Sequence, residues 1–473
     1  MELAYNGSGI VYFNKDKYKC DLYLNKKRGG ILINISVDGA FASFLEFPLN
    51  IKFLSGELST GYKFSLLNCS RGNTKGLVSE GRTVFSYYAQ YMIEGIEGTD
   101  YNNINFYKVK FQLSDIIKWG NVSGYEIGNN YEIMKNDDCE VNIFDSENYN
   151  IKYIVEKTML PRVSNDLLKE DIVLKQIGNI EIIFKEEKSI EEFIKILEKV
   201  KRLIELSTLR SIYLNKITGW NRNIYDTYEE IKYERPISII SSRFKNHNDI
   251  VEKNNFTKIW EWITLPELIE NKCFDNYFCK YERLEPIIEL YIQIIVSNEM
   301  SNVRAFLNLI QALETYHSRF KANSIEEFKK RINEVILKDR PIDFIENDKK
   351  FLMAKSYKFI TLESRIADLL TADFNINFDI GDIAYLDFPK VIADTRNYYI
   401  HYDESIKDRG RVLENRELSI YNRSLINILE YYILVELGFS NIEQIRKKLK
   451  ERWGNVSDAL TIRKASERIE NRE

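Results

Sequence analysis

One change of hydrophobic period constrains this chain more than any other feature. From Gly9 to about Lys185 the apolar residues come in short β-rich runs: Ile10-Val11-Tyr12-Phe13, Cys20-Asp21-Leu22-Tyr23-Leu24, Ile31-Leu32-Ile33-Asn34-Ile35, Thr83-Val84-Phe85-Ser86-Tyr87-Tyr88 and Phe106-Tyr107-Lys108-Val109-Lys110-Phe111. Turn signals such as Asn6-Gly7, Gly29-Gly30 and Arg71-Gly72-Asn73 separate them. Runs at this spacing predict an antiparallel sandwich or open barrel. The absence of ten-residue helical stripes between them argues against a doubly wound parallel sheet.

The first strong helix opens at Ser189, where Ser189 and Glu192 have the spacing of a capping box. Phe193, Ile196, Leu197, Val200, Leu203 and Ile204 follow at helical spacing. Two further strands are expected at Ile212-Tyr213-Leu214 and Ile237-Ser238-Ile239-Ile240, joined by a Trp-containing turn. Beyond about Phe244 nearly every stretch reads as helix. The fold class is therefore α+β and multidomain: an antiparallel, β-sandwich-like N-terminal domain over residues 1–243, a helical connector over 244–298, and an all-α C-terminal domain with a four-helix bundle and a helical extension over 299–473.

Composition narrows the function. The 473 residues suit two or three domains. Lys and Arg (67) nearly balance Asp and Glu (71), so any polyanion site is local rather than general. Five scattered cysteines fit reduced thiols better than a disulfide framework. Cys273 and Cys279 stand too far apart for a zinc knuckle, with His247 the nearest histidine, and no metal or cofactor is expected. The N-terminus has neither the basic start nor the apolar core of a secretory signal, and the longest apolar run, Ile287 to Val296, is broken by Glu289 and Gln293. A cytoplasmic protein without membrane contact is the expectation. ATP-binding, dinucleotide, zinc-protease, serine-hydrolase and calcium-loop motifs are all absent from the sequence.

Four segments of the C-terminal half carry bundle-like stripes. The first, Met300 to Phe320, aligns Val303, Leu307, Ile310, Leu313, His317 and Phe320. The second, Phe351 to Leu370, aligns Leu352, Tyr357, Ile366, Leu369 and Leu370. The third opens at Asp387 as N-cap with Pro389 in its first turn, and directs Val391, Thr395, Tyr398 and Tyr402 inward. The fourth, Leu418 to Leu437, aligns Leu418, Tyr421, Leu425, Ile428, Leu429 and Tyr432 before a Gly438 stop. Ser440 and Glu443 then open a fifth helix.

On the third segment lies Arg396-Asn397-Tyr398-Tyr399-Ile400-His401, which brings a cation, an amide and one of three histidines within six residues. Arginine holds a phosphate as a planar fork, and imidazole moves protons near neutral pH. The spacing alone is common in a chain this rich in arginine. Structural roles exist for both residues: an ion pair of Arg396 with Asp394 or Asp403, and a helix C-cap for His401. Glu314 and His317 fall on or beside the first stripe, where a carboxylate needs a partner; Glu314 is within reach of His317 one turn on, or of Arg365 or Arg396 across the bundle. The C-terminal stretch from Arg446 carries nine basic against five acidic residues, a solvated helix face or a place for non-specific phosphate contacts.

The hexapeptide on a third bundle helix resembles the signature of HEPN domains. Gln311-Ala312-Leu313-Glu314-Thr315-Tyr316-His317 on the first helix resembles the corresponding segment of ApeA-type HEPN proteins, which are bacterial anti-phage, abortive-infection proteins with a β-rich N-terminal domain. The resemblance implies a metal-independent endoribonuclease toxin with Arg396, Asn397 and His401 as catalytic residues and Glu314 and His317 in support. It also implies a homodimer or higher oligomer, RNA as substrate with tRNA among the candidates, and a phage-derived trigger acting through the N-terminal domain. The contrasting reading is a catalytically silent HEPN module that binds a nucleotide or a partner. Arg396 and His401 are five residues apart, about 140° around an ideal helix. One regular helix does not aim both at a point, so either the helix end is distorted or two chains share the site, and the family uses the second solution.

Overall fold

The computed structural model describes residues 6–25, 30–39, 47–96, 104–158, 173–229, 231–242, 261–297, 300–321, 330, 350, 361–370 and 388–453. The chain divides into two compact units, Met1–Ile204 with Ser211–Leu265, and Glu205–Arg210 with Pro266–Glu473.

The first unit begins with β1 (Asn6–Phe13), β2 (Asp16–Asn25), β3 (Gly30–Asp38), β4 (Asn50–Leu58), β5 (Lys63–Leu77) and β6 (Arg82–Glu94). All pair antiparallel in the cyclic order β1-β2-β3-β6-β5-β4, and β4 returns to pair with β1. The unit is antiparallel and β-rich as the period implies, but it closes as a six-stranded barrel rather than stacking as the expected sandwich. Both edges of β1 are paired, by β2 and β4, so no second sheet is needed to cover it. Strict alternation drives the closure: in β3, Ile31, Ile33, Ile35 and Val37 are buried while Leu32, Asn34 and Ser36 between them are only partly covered. Fully buried Phe47 fills the interior, stacked on Phe85 at 4.9 Å and Phe13 at 5.3 Å. Its backbone is pinned by Arg71, which donates to the Phe47 carbonyl at 2.9 Å, and by the Tyr87 hydroxyl, which donates to the Pro48 carbonyl at 2.7 Å.

β6 also starts a second run of sheet. Its Arg82–Ala89 stretch pairs with β3, and its Tyr91–Ile93 stretch pairs with the last strand of the unit. The remaining strands are β7 (Phe106–Leu113), β8 (Tyr125–Ile127), β9 (Ile133–Lys135), β10 (Glu140–Asp145), β11 (Tyr149–Lys157), β12 (Gln176–Lys188), β13 (Leu214–Trp220), β14 (Tyr225–Tyr228), β15 (Ile231–Glu234) and β16 (Ile237–Ser241). The sheet continues from β6 as β16-β13-β7-β12-β11-β10, while β8-β9 and β14-β15 form separate hairpins. Gly30 sits where β3 gives way to β16. Its φ is +101°, and a Cβ there would lie 2.9 Å from that of Ser242, so both backbone and space demand glycine.

The unit also holds α1 (Ile117–Gly120) and α2 (Ile190–Thr208), the latter as far as Ile204. Ile190, Phe193, Leu197, Val200, Leu203 and Ile204 of α2 are buried, and Phe193 meets Phe184 of the sheet edge-on at 4.8 Å. The expected strand at Ile212-Tyr213-Leu214 begins only at Leu214 and runs on through Trp220. The β14-β15 hairpin occupies the place expected for a turn.

The helical unit comprises α3 (Leu265–Glu270), α4 (Cys273–Val296), α5 (Asn302–Phe320), α6 (Leu362–Leu369), α7 (Phe388–His401), α8 (Glu404–Lys407), α9 (Asn415–Leu437) and α10 (Ile442–Trp453). α5 is the hub, packed against α4, α6, α7 and α9. It buries Phe306, Leu309, Ile310, Leu313, Tyr316 and His317, a stripe displaced from the expected one because Val303 and Leu307 are only partly covered. The α9 positions Leu418, Tyr421, Leu425, Ile428, Leu429 and Tyr432 are all buried, and Gly438 stops the helix at φ +114°. α10 is capped by Asn441, whose side-chain oxygen accepts from the Glu443 N–H at 2.9 Å, in place of the expected Ser440. Asp387, Leu352, Tyr357 and His247 lie outside the described residues. Among the described residues no helix is long and apolar enough to cross a membrane.

Candidate active site

The rotation of α7 is fixed by polar contacts along its inner side. The Thr395 hydroxyl accepts from the Leu413 N–H at 3.2 Å and donates to the Arg411 carbonyl at 3.4 Å, and the Tyr399 hydroxyl donates to the Leu413 carbonyl at 3.0 Å. Buried Asp394 faces Arg409 at 3.5 Å and Arg411 at 3.8 Å. Asp394 is thus committed elsewhere than to Arg396, and Asp403 caps α8 by accepting from the Ser405 N–H at 3.0 Å. Those bonds from Ser405, side chain first and backbone second, hold the Asp403 carboxyl below the ordinary carboxylate range.

With Thr395 turned inward, Arg396 faces α5. Its guanidinium lies 3.7 Å from the Glu314 carboxylate and donates to the Asn397 side-chain oxygen at 3.2 Å. Glu314 and Arg396 are each about one-third exposed, 30% and 31%, so the pair is partly shielded yet open to a ligand. Arg365 of α6 donates to the Glu314 carbonyl at 3.4 Å. Of the partners open to Glu314, its carboxylate takes Arg396.

His317 does not bond Glu314. Its Nε2 lies 2.8 Å from the Asp368 carboxylate of α6, with the ring fully buried and Asp368 half exposed. His317 Nδ1 is buried without a hydrogen-bond partner among the described residues. Asp368 is the functional candidate that sequence reasoning missed. The available signal was its i, i+3 spacing from Arg365, which puts both on one face of a helix.

His401 stands apart from this cluster. It is exposed as the last residue of α7, and no contact joins it to Arg396 among the described residues. The helix stays regular through His401, because the Tyr402 N–H still reaches the Tyr398 carbonyl at 2.5 Å; the break comes at Tyr402, with φ +52°. A distorted end carrying His401 back toward Arg396 is therefore not what this chain forms. Tyr402, expected inward, is 65% exposed because that break turns it out.

Residues 6–282 match the family model of ApeA N-terminal domain 1, and residues 307–443 match that of the Apea-like HEPN domain. The chain belongs to the ApeA-like HEPN family. The HEPN match spans α5 to the start of α10 and includes Glu314, His317, Arg365, Asp368, Arg396, Asn397 and His401. The match to the ApeA N-terminal domain runs past the β-rich unit into α4. No curated protein and no solved structure matches the chain.

Among the described residues of this HEPN protein, no three His, Cys, Asp or Glu side chains gather as a metal site. Cys273 is buried, its thiol pushed up to about 12 by burial and secondarily by Glu267, whereas Cys279 on the same helix is exposed. Burial also lifts the Cys20 and Cys69 thiols to about 12, which leaves them poor nucleophiles.

Proposed function

We propose that this chain is an endoribonuclease of bacterial anti-phage defence whose HEPN domain cleaves RNA by attack of the ribose 2′-OH on its own 3′ phosphate, without a catalytic metal. The observation that carries the reading is the Arg396–Glu314 contact within the matched HEPN segment: the guanidinium is oriented, partly shielded and reachable. Arg396 clamps the phosphate and offsets charge as it builds on the phosphoryl oxygens, while Asn397 holds the guanidinium through its side-chain oxygen. His401 takes the 2′-OH proton as the O2′–P bond forms; the P–O5′ bond breaks and the departing 5′-oxygen takes up a proton to leave as a 5′-OH. Glu314 and His317 support the site, Glu314 by orienting Arg396 and His317 by tying α5 to Asp368.

In one chain Arg396 and His401 point about 140° apart on a regular helix. Two chains related by a two-fold axis bring the histidine of one copy toward the arginine of the other, so the active species is a homodimer. The product carries a 2′,3′-cyclic phosphate, DNA resists cleavage, and chelators have no effect. The β-rich unit regulates the bundle in response to a phage-derived trigger in the cytoplasm, a setting supported by five free cysteines.

The test is the pair Arg396→Ala and His401→Ala, assayed for growth arrest and for RNA ends in cells. His401→Ala is expected to lower cleavage by roughly 10²–10⁴-fold, the usual share of a general base, and Arg396→Ala by roughly 10²–10³-fold, the usual share of one electrostatic stabiliser, with the folded assembly intact in both. Full activity in both variants overturns the assignment. A wild type that cleaves no RNA with or without phage infection favours a silent binding module.

A further inference from the structure

The residue after His401 adopts a conformation that glycine or asparagine adopts cheaply and a tyrosine does not. Tyr402 has φ +52°, in the left-handed region where a helix normally ends on glycine. Its ring gains little burial in return, being 65% exposed. An exposed aromatic in this conformation, directly beside a candidate catalytic histidine, is placed where a ligand at that histidine can reach it.

The ring is nonetheless held. Its centroid lies 5.8 Å from that of Tyr398 at an interplanar angle of 63°, and 6.4 Å from that of Tyr399 at 89°. Tyr399 is in turn anchored through its hydroxyl to the Leu413 carbonyl at 3.0 Å. Neither contact is stacked, so the Tyr402 ring is oriented while open surface remains. The Lys407 ammonium stands 5.9 Å from the Tyr398 ring, which adds positive charge where a polyanion would approach. Asp403, Glu404 and Asp408 share this short exposed segment, and of these Asp403 accepts from the Ser405 N–H.

We infer that Tyr402 is a nucleobase-stacking residue, which holds a base of single-stranded RNA next to the phosphate presented to His401. The inference rests on the ribonuclease reading and adds the substrate class: unpaired RNA, whose splayed bases stack on aromatic rings, rather than a closed duplex. Because every base has a π-face, the contact selects single strands more than sequence. Tyr399 and Tyr398 position the ring without touching the base.

The experiment uses the full chain carrying His401→Ala, so that RNA is bound and not cut, and a mixed-sequence single-stranded RNA oligonucleotide containing 2-aminopurine. Tyr402→Ala and Tyr402→Gly are expected to raise Kd roughly five- to a hundredfold, the range of one lost base stack, and to abolish 2-aminopurine quenching. Tyr402→Trp is expected to retain both. Tyr402→Gly is also expected to keep or raise the melting temperature, since it removes the left-handed penalty; a ring that matters only to the fold gives the opposite sign. Unchanged Kd and quenching in Tyr402→Ala and Tyr402→Gly overturn the inference while leaving the nuclease reading in place. Loss of RNA binding that coincides with loss of the dimer by light scattering also overturns it, and makes the ring a subunit contact. If the His401→Ala parent binds no RNA and the wild type cleaves none, the ribonuclease reading falls first.

Discussion

Inside the barrel, Val11, Leu22, Ile33, Leu54 and Phe64 are fully shielded, and the buried polar residues nearby, Ser55, Ser65 and Thr83, are uncharged. In the helical unit His317, Asp394, Glu430 and Lys448 are shielded almost as thoroughly, and each meets an ionisable or hydrogen-bonding side chain: Asp368, Arg409 with Arg411, Tyr291 and Glu267. An apolar interior is stabilised by area removed from water, and no one residue in it carries chemistry. Charged groups removed from water must be matched one by one, which costs stability unless every partner is present. The helical unit accepts that cost at several places, one of them Asp394, two residues before the hexapeptide.

The largest expected effect sharpens the contrast directly. Arg396→Ala should cost at least about 10²-fold in RNA cleavage, with a thermal midpoint close to wild type, because its ion pair is one-third exposed and exposed pairs contribute ~1 kcal/mol or less. The mirror experiment in the barrel is Ile33→Ala, at a fully buried position of β3. It should lower stability by about 2–5 kcal/mol, measured by chemical denaturation, while the RNA-cleaving chemistry of whatever remains folded is unchanged. Comparable activity losses per folded molecule in the two variants would erase the division between scaffold and site.

Asp368→Asn probes the middle ground. It leaves His317 buried with a weaker partner, so about 1–3 kcal/mol of stability should be lost, and RNA cleavage should fall with it if Asp368 fixes α6 against α5 beside Glu314. An unchanged melting temperature would show that the His317–Asp368 contact holds nothing in place. The smallest effect belongs to Asp403. Its carboxyl is held below the ordinary range, so the charged form is favoured in the folded state. The stabilisation is present above the unfolded value and is lost as pH falls through the folded one. Asp403→Asn should therefore flatten the acid side of the stability profile slightly, as read by melting temperature as pH falls through and below the ordinary carboxylate range.

How much of this was legible depended on sequence distance. The alternation of Ile31, Ile33 and Ile35 announced β3, and the α2 stripe from Phe193 to Ile204 announced a buried helix face. Closure of the barrel was not readable, since the β1–β4 pairing joins Gly9–Tyr12 to Ser55–Leu58 and β4 lacks clean alternation. Arg396, Asn397 and His401 stood out as candidates because they fall within one hexapeptide. Asp368 was missed because its partner His317 lies 51 positions away and neither residue advertises the other. The exposure of Tyr402 was hidden for a different reason: helical periodicity assumes that the helix continues, and here it ends one residue earlier.

The shared edge of β6 has a consequence for how the protein is made. The ribosome completes β3 and β6 early, but the Tyr91–Ile93 stretch waits for Ile237–Ser241 to emerge before its second side is paired. At roughly 5–20 residues per second, that interval is on the order of ten seconds. During it the nascent barrel carries an open strand edge rich in Tyr91, Met92 and Ile93, the kind of edge on which neighbouring chains add themselves. The time of greatest aggregation risk is thus set by the distance along the chain between two strands, and chaperone demand should be highest before the HEPN domain has been synthesised.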